Sequence, residues 1–159
     1  KIKIGDFLQE YIPDHPGSVV NLEGKFLGPH QGLHRFTLGQ RKGLGIPSNT
    51  DHKFYVVIAK NYQKNELIVA FEDPATPKLY SQEVVVRDLI WNGERIEDEI
   101  ELLAKPRFRD SSQEIQVKPE EDKLRVFFKS PQRALTPGQI AAFYCGEKLL
   151  GGGVYESIL

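Results

Sequence analysis

Three segments carry residue types that could hold an anion or a base. The first is Gly39-Gln40-Arg41-Lys42-Gly43-Leu44-Gly45. Glycines around two cations let backbone N–H groups form an anion nest, to which the side chains add charge. It is no Walker loop, because Gly-Lys-Ser/Thr does not follow a four-residue gap, and the Gly-x-Gly-x-x-Gly fingerprint is absent. The pattern fits phosphate contact and equally fits a solvated turn. The second segment is Lys105-Pro106-Arg107-Phe108-Arg109. On a strand, Arg107 and Arg109 share one face and Phe108 takes the other. Such a set serves as a guanidinium pair on phosphate with an aromatic on a base. From the residues alone the better reading is a strand edge, with Phe108 in the core and the arginines paired to the acidic run before it. The third is Thr136-Pro137-Gly138-Gln139, a turn leading into the apolar run 140–145. The Gln139 amide offers a donor and an acceptor, for a base edge or for backbone at a strand start.

The other reactive side chains assemble no catalytic set. The histidines are His15, His30, His34 and His52. His30 and His34 stand four apart, but the glycines and proline around them oppose a helical pair, so no metal site is expected. The single cysteine, Cys145, permits no internal disulfide. Flanked by Phe143 and Tyr144, it is expected to fill core space. Trp91 is expected against a core or a module boundary. There is no nucleophile elbow and no paired catalytic carboxylate. The residues point to binding.

The chain has 159 residues, 40% hydrophobic and 27% charged, as expected for one globular domain or two small ones. Its 21 basic and 22 acidic residues leave a net charge of -1, which at face value argues against a strongly cationic nucleic-acid binder. The distribution says more. Residues 24–50 hold no acid, and neither do residues 123–146, while acids cluster at 94–101 and 120–122. Basic blocks interleaved with glycine and aromatics suit a phosphate backbone, although charge runs also serve as solvated faces. No apolar run approaches the ~18 residues of a spanning helix, and the N-terminus is unlike a secretory signal. Methionine is absent, so the chain is expected to be a processed product or, preferably, a piece of something longer.

The elements that must position these residues are mostly strands. Asp6-Phe7-Leu8-Gln9 has the form of a capping box, predicting a short helix that Pro13 stops. Strand-like runs follow at 18–22, 25–27, 33–38, 54–60, 66–71, 84–91, 115–118, 124–128, 139–145 and 153–157. Residues 61–65 and 120–123 read as hairpin turns. Many short strands with few helices suggest barrels or sandwiches. Pro74 and Pro77 resist helix and sheet alike and mark a break between two modules.

The run from Gly32 to Ile46, Gly-Leu-His-Arg-Phe-Thr-Leu-Gly-Gln-Arg-Lys-Gly-Leu-Gly-Ile, resembles a signature of the bacterial-type tRNA-specific 2-thiouridylases. Phe7-Leu8 with Tyr11 and Pro16-Gly17, Phe54-Tyr55-Val56-Val57, and Leu79-Tyr80-Ser81 with Asp88-Leu89 and Trp91 are similar too. So are Arg107-Phe108-Arg109, Pro131-Gln132-Arg133-Ala134, Thr136-Pro137-Gly138-Gln139 and Gly151-Gly152-Gly153, all in the family's order. The resemblance covers nearly the whole chain. It implies a mainly β protein: a small central β-rich domain (1–74) with a short N-terminal helix, then a C-terminal β-barrel (78–159). Such enzymes activate the wobble uridine of tRNA with ATP and Mg and transfer sulfur from a persulfide. Their ATP loop and catalytic cysteines lie upstream, so no catalytic residue is expected here and this part alone is expected to be inactive. The resemblance implies tRNA contacts at Arg107, Phe108 and Gln139. Gln40, Arg41 and Lys42 are implied at the tRNA backbone or the interface with another domain. Phe108 stands where many members have tyrosine, which removes a hydroxyl and leaves stacking or packing. Also implied are a sulfur-relay or cysteine-desulfurase partner, a cytoplasmic location, a monomer and no membrane association. The competing expectation is a β-barrel protein-interaction module of translation-factor type; a free-standing hydrolase is remote.

Overall fold

β-branched and aromatic residues alternating with polar ones dictate a mainly β protein, and the computed structural model shows one. It describes residues 7, 10–47, 53–93 and 95–159. The chain divides into two units, Lys1–Leu79 and Tyr80–Leu159.

The first unit holds β1 (Gly17–Val20), β2 (Phe26–His30), β3 (Tyr55–Asn61) and β4 (Glu66–Phe71) in one sheet of order β2-β1-β4-β3. β1 runs parallel to β4, and the other pairs are antiparallel. Val19, Val57, Leu67 and Val69 from the strands pack with Leu33, Phe36 and Leu44. The run 33–38, expected as a strand, instead forms a 3-10 turn at Leu33–Arg35 followed by irregular chain. Its buried residues Leu33 and Phe36 stand three apart, the period of a 3-10 turn, not the two of a strand. Asp6 and Gln9 of the capping box lie outside the described residues.

One seam ties β1 to β4. Gly17 passes so close to Asn65 that an added Cβ would meet its carbonyl oxygen at 2.1 Å. Asn65, at φ 53°, donates from Nδ2 to the carbonyls of Pro16 (2.7 Å) and His15 (3.2 Å). Its own carbonyl accepts from Nε2 of His30, a side chain only 2% exposed. Burial lowers the His30 pKa, the Asn65 contact works against that, and His15 adds to the lowering.

The second unit is a closed barrel of β5 (Tyr80–Trp91), β6 (Ile100–Lys105), β7 (Gln113–Glu120), β8 (Lys123–Arg133), β9 (Ile140–Cys145) and β10 (Lys148–Ile158). The order is β10-β5-β8-β7-β6-β9, antiparallel throughout. Alternate residues line the interior: Val84 and Val86, Ile115 and Val117, Leu124, Val126 and Phe128, with Phe143 and Tyr155. Trp91 packs on this core, stacked on Phe143 at 6.2 Å between centroids. The hairpins at 61–65 and 120–123 form as the spacing predicts. β6 escapes sequence reading because the acids before and within it mask its alternation. Cys145, expected in the core, is exposed. Alternation sets it on the face of the buried Ala141 and Phe143, but it is the last residue of β9, at the Gly146 turn.

Closure demands glycine in β10. A Cβ on Gly151 would lie 2.3 Å from the Ile90 carbonyl, and one on Gly152 2.5 Å from the Ala141 carbonyl. Gly151→Ala is expected to lower barrel stability by ~1–3 kcal/mol, the range for overpacking, as measured by urea denaturation. Acidification is expected to weaken the first unit. Because the folded state lowers the His30 pKa, neutral imidazole is favoured, so stability is full above about pH 6.5 and declines below it. His30→Gln should flatten that decline in unfolding curves taken between pH 7.5 and pH 5.

Candidate nucleic-acid interface

β6 leaves the barrel at Lys105, and the chain turns back into β7 eight residues later. Residues 107–110 form a β-turn, closed by the Asp110 amide donating to the Arg107 carbonyl at 3.0 Å. Arg107, Phe108 and Arg109 are therefore in a turn, not on a strand, and no strand face is shared. Phe108 is 92% exposed, which overturns its expected alternative place in the core. The Arg107 guanidinium is tied down: Nε donates to Asp110 at 3.1 Å, and an Nη donates to the Arg133 carbonyl at the end of β8. Its partner is an acid after it, not the acidic run before it. Arg109 is exposed and forms no ion pair among the described residues. Lys105 lies over the Tyr144 ring, 5.4 Å from the centroid.

Gln139 stands at the same end of the barrel, since β6 and β9 pair there with Lys105 opposite Ala142. Its Oε1 accepts from the Thr136 amide at 3.2 Å, and its own amide donates to the Thr136 carbonyl at 3.2 Å. The side-chain acceptor thus closes the 136–139 turn. The Nε2 donor has no protein acceptor among the described residues.

Tyr155 joins the two turns. It is 1% exposed, and its hydroxyl donates to the Pro106 carbonyl at 3.2 Å. Its backbone N–H donates to the Gln139 carbonyl at 2.8 Å, and its carbonyl accepts from the Gly138 N–H at 2.9 Å. Burial raises the phenol pKa, outweighing the nearby Arg107 charge, so the hydroxyl keeps its donor proton. A tyrosine in β10 offers no sequence signal of this role, because its hydroxyl's partner, Pro106, is 49 residues away.

Gln40, Arg41 and Lys42 belong to the first unit. Gln40 is committed locally, accepting from the Thr37 amide at 3.0 Å and donating to the Lys42 carbonyl at 2.9 Å. Arg41 pairs in a fork with Glu72, at 2.5 and 2.7 Å. Gly39, Gly43 and Gly45 all take positive φ, from 70° to 78°, which shapes the loop. Lys42 is exposed at its tip.

The second acid-free stretch is not a cationic face. Lys123 pairs with Glu156 at 2.9 Å, and Lys129 with Glu114 at 3.0 Å. Arg125 bridges Glu120 at 2.8 Å and Glu83 at 2.6 Å. Hydrogen bonds to these carboxylates raise the pKa of all three cations, and the bond from Arg125 lowers that of Glu120.

Comparison with known proteins places both units. The family described as "tRNA methyl transferase PRC-barrel domain" matches residues 5–71. The "Aminomethyltransferase beta-barrel domain" matches residues 81–155. The tRNA-specific 2-thiouridylase MnmA of Akkermansia muciniphila is 43% identical over 99% of this chain. That of Photorhabdus laumondii is 42% identical, also over 99%. The chain belongs to the tRNA-specific 2-thiouridylase family. It spans 44% of the length of each of these two 2-thiouridylases, and 40% of that of the Haemophilus influenzae relative, to which it is 40% identical. The candidate turns thus lie in the barrel of a 2-thiouridylase-family chain.

Tyr155→Phe keeps the ring and removes the one bond between β10 and Pro106. Loss of a buried hydrogen bond is expected to lower stability by about 1 kcal/mol. Trypsin should then cut faster after Arg107 and Arg109, as followed by mass spectrometry.

Proposed function

We propose that this chain is the tRNA-binding, substrate-positioning part of a tRNA 2-thiouridylase, which makes 2-thiouridine at the wobble position with ATP and a persulfide. The observation that carries the reading is the turn at 107–110, an almost fully exposed aromatic beside an unpaired cation on a braced barrel loop. Exposure of a phenyl ring to water is unfavourable unless something covers it, and an unstacked base is a fitting cover. Phe108, Arg107 and the Gln139 amide donor form the centre of the site. Lys42 serves as a second, outlying cation for tRNA backbone or another domain, while Gln40 and Arg41 support its loop. The central domain spans 1–74 and the C-terminal barrel 78–159.

Among the described residues no group of three His, Cys, Asp or Glu could hold a metal ion. We assign the nucleotide, the metal and the persulfide to the rest of the longer relatives' architecture. Chemistry at carbon 2 of a wobble base needs that base outside its stack. A barrel that grips the RNA supplies the register, and a separate module acts on the base. The sulfur then comes from a relay protein or a cysteine desulfurase, and the enzyme works as a cytoplasmic monomer. Among the described residues no helix is long and apolar enough to cross a membrane.

A second reading, a barrel that docks on protein, is favoured by one observation. Ile90 (73% exposed), Ile140 (68%) and Leu149 flank a glycine-floored apolar groove on the barrel exterior. A gel-shift titration against an anticodon stem-loop RNA separates the two. The tRNA reading expects binding that weakens as salt rises, no thiolation by this chain alone, and a roughly fivefold or greater loss in Phe108→Ala, from ~1–3 kcal/mol per base stack. Absence of any shift at low salt would leave the protein-docking reading.

A further inference from the structure

We propose that Asn92-Gly93 is a covalent modification site: the Gly93 backbone nitrogen closes on the Asn92 side-chain carbonyl, and the asparagine becomes aspartate and isoaspartate. The proposal is independent of the tRNA reading above and concerns residues that reading does not use.

Sequence and fold both single out this dipeptide. The asparagines are Asn21, Asn49, Asn61, Asn65 and Asn92, and only Asn92 precedes glycine. A side chain on the following residue shields its backbone nitrogen, and glycine has none. Hydrogen bonding separates the described asparagines further. Asn21 Oδ1 accepts from the Lys25 amide at 2.8 Å, and Asn61 Oδ1 from the Lys64 amide at 3.1 Å. Asn65 Nδ2 donates to the Pro16 carbonyl at 2.7 Å. Each of those side chains must give up a bond before it reacts. The Asn92 side chain and the Gly93 N–H have no hydrogen-bond partner among the described residues. Both residues are exposed, just past the end of β5. Gly93 takes φ 138°, and a Cβ built on it would meet nothing within 4 Å, so ring closure has room. The strand end stays anchored, because the Asn92 N–H donates to the Leu150 carbonyl at 2.8 Å. Beyond the glycine, Arg95 donates to the Glu121 carbonyl, which keeps the change local.

The step balances without a cofactor. The Gly93 nitrogen gives up its proton and bonds to Asn92 Cγ. The Cγ–Nδ2 bond breaks, and Nδ2 leaves as ammonia with that proton. Nucleophile and carbonyl belong to adjacent residues, so the attack is intramolecular. Water then opens the cyclic imide, returning a proton to the nitrogen and leaving a carboxylate. Opening at Cγ gives aspartate. Opening at the backbone carbonyl gives isoaspartate, whose main chain runs through the former side chain. Either product sets a carboxylate on the rim of the apolar groove that Asn92 lines with Ile90 and Leu149.

The test incubates the folded chain warm at mildly alkaline pH and maps its tryptic peptides by mass spectrometry. Cleavage after Arg87 and Arg95 releases residues 88–95, whose single asparagine is Asn92. Two new forms of that peptide are expected, each heavier by the difference between an amide and an acid. One of them should accept a methyl group from a protein isoaspartyl methyltransferase. Their yield should rise several-fold as pH is raised from neutral, since the attacking nitrogen must lose its proton. Asn92→Gln must close a ring one atom larger, and it should melt as the parent does and give no product in the same interval. A synthetic peptide of residues 88–95 is the unfolded reference. A folded chain that keeps the Asn92 amide while the free peptide converts overturns the proposal. Equal conversion at Asn21, Asn61 or Asn65 overturns it as well, because the hydrogen bonds would then select nothing.

Discussion

β10 hydrogen-bonds to β5 on one side and β9 on the other, and the barrel exists because it does. A six-stranded sheet left open would present two edges of unpaired N–H and C=O groups. Closure removes them, but only if the last strand can approach both neighbours. Gly151 and Gly152 meet backbone carbonyls within 2.5 Å of where a Cβ would sit, so any side chain there would hold the strands apart. The same strand then delivers Tyr155 to the interior. From there one residue bonds the turn after β6 and the turn before β9. The candidate interface is thus a consequence of closure: without β10 the two turns have no common support.

Electrostatics follow from the same pairing. Opposed blocks of charge along the sequence become neighbours across strands, because antiparallel pairing sets the acids of one strand beside the bases of the next. Arg125 reaches Glu83 on β5 and Glu120 on β7, and Lys129 reaches Glu101 on β6 and Glu114 on β7. The Lys129 pairs are exposed and worth little in stability, and the Arg125 pairs are half-buried. Their effect is on the surface potential, since they cancel cations that would otherwise extend around the barrel. Among the cations without a paired carboxylate are Arg109 at the 107–110 tip and Lys42 in the first unit. A protein of net charge -1 can therefore present a small cationic tip without being a cationic protein.

The first unit solves a different problem. Its sheet includes one parallel pair, β1 with β4, which no short hairpin could make. Asn65 and His30 form the seam, and their hydrogen bonds substitute for local connection. The Gly-rich loop that looked most like an anion nest serves mainly this unit's own packing: Leu44 is buried, Gln40 bonds within the loop, and Arg41 bonds to Glu72.

What the sequence by itself determined was the class of structure and the family. Alternation of β-branched residues marks nearly every strand, and the prolines at 74 and 77 lie just before the division at residue 79. Both hairpins are legible because a turn is a local object. The short run 33–38 misleads, since apolar residues three apart fit more than one period. β6 hides because its charges face outward beside an acidic run. The tertiary structure alone decided which of two arginines in one motif is tied and which is free, and placed Cys145 at the rim. It also decided that a tyrosine 49 residues from Pro106 braces the turn. The reason is physical. Propensity and periodicity act within a few residues, whereas the partner of a guanidinium or a phenol is chosen by strands that meet only when the barrel closes.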